Sequence, residues 1–116
     1  MSDCIFCKDL PRVMENDLAY VLWDIHPISP GHALVIPKRH VEQVFEVTPP
    51  EGVSLGALVM TIKREIDARH NPDGYNIWIN SGKSAGQVVM HAHIHVIPRY
   101  TGHPIHIQDH LKENTH

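Results

Sequence analysis

Apolar and polar positions form several short alternating runs and one long stretch with helical spacing. Leu18 to Asp24 (LAYVLWD) is rich in aromatic and β-branched residues and predicts a strand. His32 to Pro37 (HALVIP) is almost wholly apolar, the pattern of a strand covered on both faces near the middle of a sheet. Between them, His26-Pro27-Ile28-Ser29-Pro30-Gly31 breaks regular structure and reads as a turn. Thr48-Pro49-Pro50-Glu51 then announces a helix: Thr48 caps it, the prolines suit its first turn, and Glu51 completes a capping box. Leu55, Val59, Ile62 and Ile66 follow as one apolar stripe, and His70-Asn71-Pro72 ends the helix. Tyr75 to Asn80 predicts a further strand, Ser81 to Gln87 a glycine- and serine-bearing loop, and Val88 to Arg99 another strand. Four or five strands with one main helix define an α+β domain. Gly52 and Gly56 each weaken the helix by ~1 kcal/mol relative to alanine. Their presence predicts close packing there against another element or another subunit.

The strand from Val88 carries the strongest chemical signal. Side chains on a strand alternate between faces, so His91, His93 and His95 share one face while Ala92, Ile94 and Val96 turn to the core. Imidazole titrates near ~6.5, so three neighbours repel one another once charged. Such a cluster is costly unless it holds a metal or does chemistry. Imidazole is a common zinc ligand, and histidines two apart on a strand can share one ion. The rival reading makes the middle histidine a nucleophile toward phosphorus, with its neighbours steadying the phosphate oxygens. The preceding loop favours phosphate chemistry. Gly82 and Gly86 let backbone N–H groups approach a phosphate, and no local carboxylate accompanies the histidines.

The chain has 116 residues, 42% hydrophobic and 20% charged, which suits one soluble globular domain. A formal charge of −3 lacks the basic footprint of a protein that binds a nucleic-acid polymer. No apolar run approaches the ~20 residues that span a bilayer, so no membrane partner is expected. The N-terminus has no signal-peptide pattern, and a cytoplasmic location is expected. Both cysteines lie in Cys4-Ile5-Phe6-Cys7, a spacing that suggests a metal clip or redox pair rather than a structural disulfide. Residues 101–116 carry His103, His106, His110 and His116 with little apolar content, and read as an extension beyond a domain of residues 1–100.

His91-Ala92-His93-Ile94-His95-Val96-Ile97 resembles the His-φ-His-φ-His-φ-φ motif of the histidine triad (HIT) family, in its zinc-bearing bacterial-type branch. Gly31 to Lys38 (GHALVIPK) resembles that family's other signature strand, and Asn80, Gly82, Gly86 and Gln87 fall at matching spacings. The likeness runs from Cys4 to Arg99. It implies a HIT-like fold, an antiparallel sheet with one long helix, the sheet extended across a homodimer.

The resemblance further implies a hydrolase acting on phosphorus-containing anhydride or phosphoramidate bonds. Such a nucleotidyl hydrolase or transferase cleaves the α-phosphate of purine nucleotide conjugates, phosphoramidates or dinucleoside polyphosphates. The route is a covalent nucleotidyl-His93 intermediate, and a nucleoside monophosphate is released. In that reading His93 is the nucleophile, and His95 lies near the leaving group and phosphate oxygens. His32 supports the triad, of which His91 is the first member. Asn80, Gln87 and the backbone near Val88 hold the phosphate, and Asp24 takes the ribose hydroxyls. Ile5, Phe6, Leu22 and Ile25 form the base pocket. Many relatives have a serine or threonine after the glutamine; Val88 lacks that hydroxyl, which predicts an altered leaving-group preference. The resemblance also implies a structural zinc on Cys4, Cys7, His40 and His91, no organic cofactor, and magnesium only as the substrate's counter-ion. Two other classes stay open: a metal-dependent hydrolase with the triad as ligands, and a non-catalytic nucleotide-binding protein.

Overall fold

The computed structural model describes residues 4–102. Strands β1 (Met14–Glu15), β2 (Ala19–Trp23), β3 (Ala33–Pro37), β4 (Gly74–Trp78) and β5 (Ile94–Arg99) form one antiparallel sheet in the order β1-β2-β3-β5-β4. β3 is buried along its whole length between β2 and β5, as its unbroken apolar run predicts. The two-residue β1, paired through Met14–Val21 and Glu15–Tyr20, is too short to leave a periodic signal.

Helix α1 (Pro49–His70) enters through the predicted capping box. The Glu51 carboxylate accepts from the Thr48 N–H at 2.8 Å, and the Thr48 hydroxyl accepts from the Glu51 N–H at 3.3 Å. Asn71, at φ 52°, closes the helix in the left-handed conformation. The buried stripe is Leu55, Leu58, Ile62 and Ile66; Val59 packs at its margin, a small rotation from the expected face. This stripe lies on Ala19, Val21, Ala33, Val35, Ile94 and Val96, one face of the sheet. Ile62 and Ile66 are fully buried, and each such burial contributes ~1.5–3 kcal/mol. A Cβ added at Gly52 or Gly56 would meet nothing within 4 Å, so the close packing expected there is not made among the described residues.

The alternate residues of the same strands build the opposite face. Tyr20, Leu22, Leu34 and Ile36 pack with Phe6, and Cys4, Leu10 and Val89 border them. His95 stands directly across from Leu34 on β3 and Trp78 on β4, so it belongs to this second face.

One expectation is corrected here. The histidine-bearing strand does not run from Val88: β5 begins at Ile94, and only His95 of the triad lies in it. Pairing ends at Val35–Ile94 on one side and Trp78–His95 on the other. The preceding stretch is held by single contacts instead, the Ala92 N–H on the Val41 carbonyl at 2.7 Å among them. Ile94 and Val96 join the core under α1, as alternation predicts, while burial itself runs unbroken from His91 to Val96. β4 likewise stops at Trp78 rather than Asn80. Of the expected extension of residues 101–116, everything after residue 102 lies outside the described residues.

Candidate active site and metal cluster

The histidine rings are fixed by partners that leave little freedom of tautomer. A carbonyl only accepts, so the contact of 2.8 Å from His93 Nδ1 to the His91 carbonyl places a proton on Nδ1. The neutral ring then keeps its lone pair on Nε2. A backbone amide only donates, so the Ile28 N–H, 3.0 Å from His32 Nδ1, puts the His32 proton on Nε2. That proton faces His95 Nδ1 at 2.9 Å, which leaves His95 with a donating Nε2–H. Asp24 closes the chain: Oδ2 lies 3.3 Å from His32 Nε2, and Oδ1 accepts the His26 N–H at 2.9 Å. His32, His93, His95 and Asp24 are all buried, and the His93 and His95 ring centroids are 5.0 Å apart.

His91 turns elsewhere. Its Nε2–H donates to the Pro37 carbonyl at 2.8 Å, and its Nδ1 lies 3.2 Å from Cys4 Sγ and 3.5 Å from Cys7 Sγ. Among the described residues two groups of ligand-bearing side chains converge: Cys4, Cys7, His40 and His91, and Asp24, His32 and His95. The three triad rings therefore share no metal position, and His93 belongs to neither group. In the second group His32 presents a proton where a metal needs a lone pair. The metal-dependent use of the triad is thereby disfavoured.

A pocket of about 310 Å³ opens beside this site, lined by Ile5, Phe6, Leu10, Leu22, Trp23, Asp24, Ile25, His26 and Leu34. Binding cavities begin near ~300 Å³. All four residues expected at the base pocket are here, and so is Asp24. The Phe6 ring stands edge-on to His93 with centroids 5.2 Å apart, which joins the pocket to the triad.

The loop from Asn80 to Val88 turns on Gly82 and Gly86, both near φ +93°. Gly86 backs onto Asn80, whose Nδ2 would lie 3.7 Å from an added Cβ. Gln87 is buried and its amide is fully committed to backbone. Oε1 accepts the Gly82 N–H at 2.8 Å, and Nε2 donates to the Glu42 and Val89 carbonyls at 2.6 and 3.0 Å. In this structure the Gln87 side chain therefore braces the loop. Val88 is 60% exposed.

The thiol–imidazole cluster fits a four-coordinate metal. Cys7 Sγ lies 3.2 Å from His40 Nδ1, and the Cys4–His91 pair is equally close. Zinc bonds of ~2.3 Å to sulfur and ~2.0 Å to nitrogen place tetrahedral S and N ligands roughly 3.5 Å apart. The Pro37 carbonyl, holding the His91 Nε2–H, turns an unprotonated Nδ1 toward the thiols. Burial pushes the His91 pKa down, against the bond to the Pro37 carbonyl that raises it.

Residues 8–102 match the model of the HIT domain. The chain belongs to the HIT family. It is 41% identical over 105 residues to Protein hit of Bacillus subtilis, covering 85% of this chain and 72% of that one. It is 38% identical over 102 residues to adenosine 5'-monophosphoramidase hnt1 of Schizosaccharomyces pombe, covering 83% and 74%. It is also 36% identical over 104 residues to adenylylsulfatase HINT3 of Arabidopsis thaliana, covering 84% of this chain but only 53% of that protein. The structure of a HIT family protein from Bacillus anthracis aligns at a TM-score of 0.80 with 38% identity, over 86% of this chain and 75% of the other. A zinc-bound histidine triad protein from Mycobacterium smegmatis aligns at 0.78 with 31% identity, over 98% and 91%.

Four lining residues of this HIT protein escaped sequence reasoning. Leu34 is Leu22's cross-strand partner, so strand register carried a signal for it. Trp23 lay inside the predicted strand with no sign of which face mattered. Leu10 and His26 sit in irregular segments, where no periodicity points to a pocket. Among the described residues no helix is long and apolar enough to cross a membrane.

Proposed function

We propose that this HIT protein is a nucleotidyl hydrolase or transferase acting on the α-phosphate of purine nucleotide conjugates, phosphoramidates or dinucleoside polyphosphates. The observation that carries the reading is the proton held on His93 Nδ1 by the His91 carbonyl. It leaves Nε2 as a nucleophile beside an apolar pocket sized for a base. His93 Nε2 attacks the α-phosphorus; the N–P bond forms as the bond to the leaving group breaks. His95 offers its Nε2–H where negative charge grows on the leaving atom, and the Asp24–His32 pair keeps that proton on Nε2. Water then cleaves nucleotidyl-His93 and releases the nucleoside monophosphate. Asn80 and the loop backbone up to Val88 hold the phosphate oxygens. Asp24 takes the ribose hydroxyls, and Ile5, Phe6, Leu22 and Ile25 enclose the base. The names of HINT3 and hnt1 point to adenylyl and AMP chemistry with different leaving groups, which supports the α-phosphate as the common target.

Cys4, Cys7, His40 and His91 would hold a zinc ion, with a zinc-bound relative in support. When bound, the ion supplies a structural cross-link and no catalysis. The working form is a homodimer. β4 is an edge strand, and Ile77 on it is 47% exposed. On α1, Val53 and Met60 are 75% and 62% exposed beside the open Gly52 and Gly56. These features leave a sheet edge and a helix face for a second copy to cover.

The test is AMP release from adenosine 5′-phosphoramidate and diadenosine tetraphosphate in magnesium-free buffer, with protein quenched in alkaline denaturant, where a histidine–phosphorus bond survives, and examined for an adenylyl adduct. Turnover with a transient adduct on His93 is expected. Turnover with no adduct, or an adduct elsewhere, overturns the covalent mechanism.

A further inference from the structure

The thiol clip and the nucleotide pocket share one short piece of chain. Cys4 and Cys7 bracket the 3-10 turn Ile5–Cys7, and the two residues between the thiols, Ile5 and Phe6, are walls of the pocket. The Phe6 ring is 4% exposed and stands edge-on to both His91 and His93, with centroids 5.9 and 5.2 Å away. A second path runs through His91. Its ring nitrogen faces the thiols, while its carbonyl holds the proton of the His93 ring. The clip joins the N-terminal segment to parts of the body far away in sequence: Cys4 reaches His91 and Cys7 reaches His40.

We propose that metal occupancy of the Cys4, Cys7, His40 and His91 cluster sets the affinity of the adjoining pocket for a nucleoside monophosphate, and that the nucleotide in turn tightens the metal. The proposal rests on the zinc and nucleotide readings above. Two states of the turn define it. In the closed state the thiols meet the two imidazoles, and Ile5 and Phe6 complete the pocket. In the open state the turn is released, the four ligands no longer converge, and one wall of the pocket is lost. Metal needs the closed state to collect its ligands, and a base needs it for its apolar contacts. Two ligands that favour the same state bind cooperatively, by the same factor in either direction. The Tyr20 hydroxyl, bonded to the Phe6 carbonyl, holds part of the turn without metal, so the effect is graded.

The experiment uses the full chain. Zinc affinity is measured by competition with a chromogenic chelator, with and without saturating AMP, and repeated with adenosine, which has no phosphate to chelate zinc. AMP affinity is measured calorimetrically on zinc-loaded and metal-free protein. About tenfold tighter binding is expected in both directions, within the usual range of such couplings. Where the metal-free chain fails to fold, the zinc competition decides alone: it needs only folded, zinc-loaded protein, and the chelator should withdraw zinc about tenfold less readily in saturating AMP. Stoichiometric zinc and AMP that ignore one another overturn the proposal and leave both underlying readings standing. Absence of zinc binding overturns the metal reading, and zinc binding without AMP binding overturns the nucleotide reading; either removes the coupling as well.

Discussion

At the scale of single residues, the role proposed for His93 depends on its other nitrogen. With Nδ1 bonded to the His91 carbonyl, the neutral ring keeps its lone pair on Nε2, the atom proposed to attack phosphorus. His93→Ala should therefore lower AMP release by at least about 10⁴-fold, the scale seen when a nucleophile is deleted. Its melting temperature should stay near wild type; substantial residual turnover would remove His93 from the nucleophile's role. His32 acts one step away, because its Nε2–H sets the tautomer of His95. His32→Ala should lower kcat by about 10–100-fold and displace the pH–rate profile, since His95, the ring proposed to face the leaving group, then loses the partner that fixes its tautomer. A KM effect alone, with an unchanged profile, would make His32 a packing residue. The sequence motif named these four histidines, yet it held no information on which way each ring points. That depends on carbonyls and amides of Pro37, Ile28 and His91, which any residue type would provide. Gln87 illustrates the converse. Its spacing was legible, but its inward amide is visible only once residues 42 and 82 are beside it.

At the scale of elements, what was readable was what local chemistry fixes. The capping box, the helix from residue 49 to 70 and the central apolar strand follow from near neighbours in sequence. The start of β5 does not, because it is set by where β3 and β4 stop offering partners. Two predictions belong here. Glu51 does more than cap α1: Arg39 grips both its oxygens at 2.8 and 2.9 Å, and with the Thr48 backbone N–H draws its pKa down to about 2. A carboxylate depressed from its usual value of 4.5 adds stability above that pH, and the gain is lost as pH falls toward 2. Glu51→Gln should cost about 1–2 kcal/mol at neutral pH. Urea melts should show that cost shrinking steadily between pH 4.5 and pH 2; a cost independent of pH would place it in the helix cap alone. Gly31 has φ +91°, and an added Cβ would lie 2.9 Å from His70 Cδ2. Gly31→Ala should lower stability by about 1–3 kcal/mol, and, being next to His32, should lower kcat as well. Retention of wild-type values in both would mean the turn relaxes freely.

At the scale of the whole molecule, the distribution of exposed apolar side chains asks for a second copy. One face of α1 lies against the sheet; the other carries Gly52, Val53, Gly56 and Met60 to the surface, a stripe that costs helix propensity and meets no packing partner among the described residues. Glycine lets two helices approach closely, and on an exposed face that has value only if another helix arrives. The edge of β4, unpaired among the described residues, needs covering for a different reason, since bare strand edges invite uncontrolled pairing. A two-fold axis beside both features would pair like with like and leave each active site, on the opposite face of the sheet, open to solvent. Light scattering should accordingly give wild type about twice the chain mass of 13.2 kDa at micromolar concentration. Met60→Arg would place a charge on each side of the axis, and like-charge juxtaposition of this kind costs several kcal/mol. It should shift the protein to monomer while leaving the single-chain fold intact by circular dichroism. A wild type that is monomeric throughout, or a Met60→Arg variant that dimerises as strongly, would move the interface away from α1.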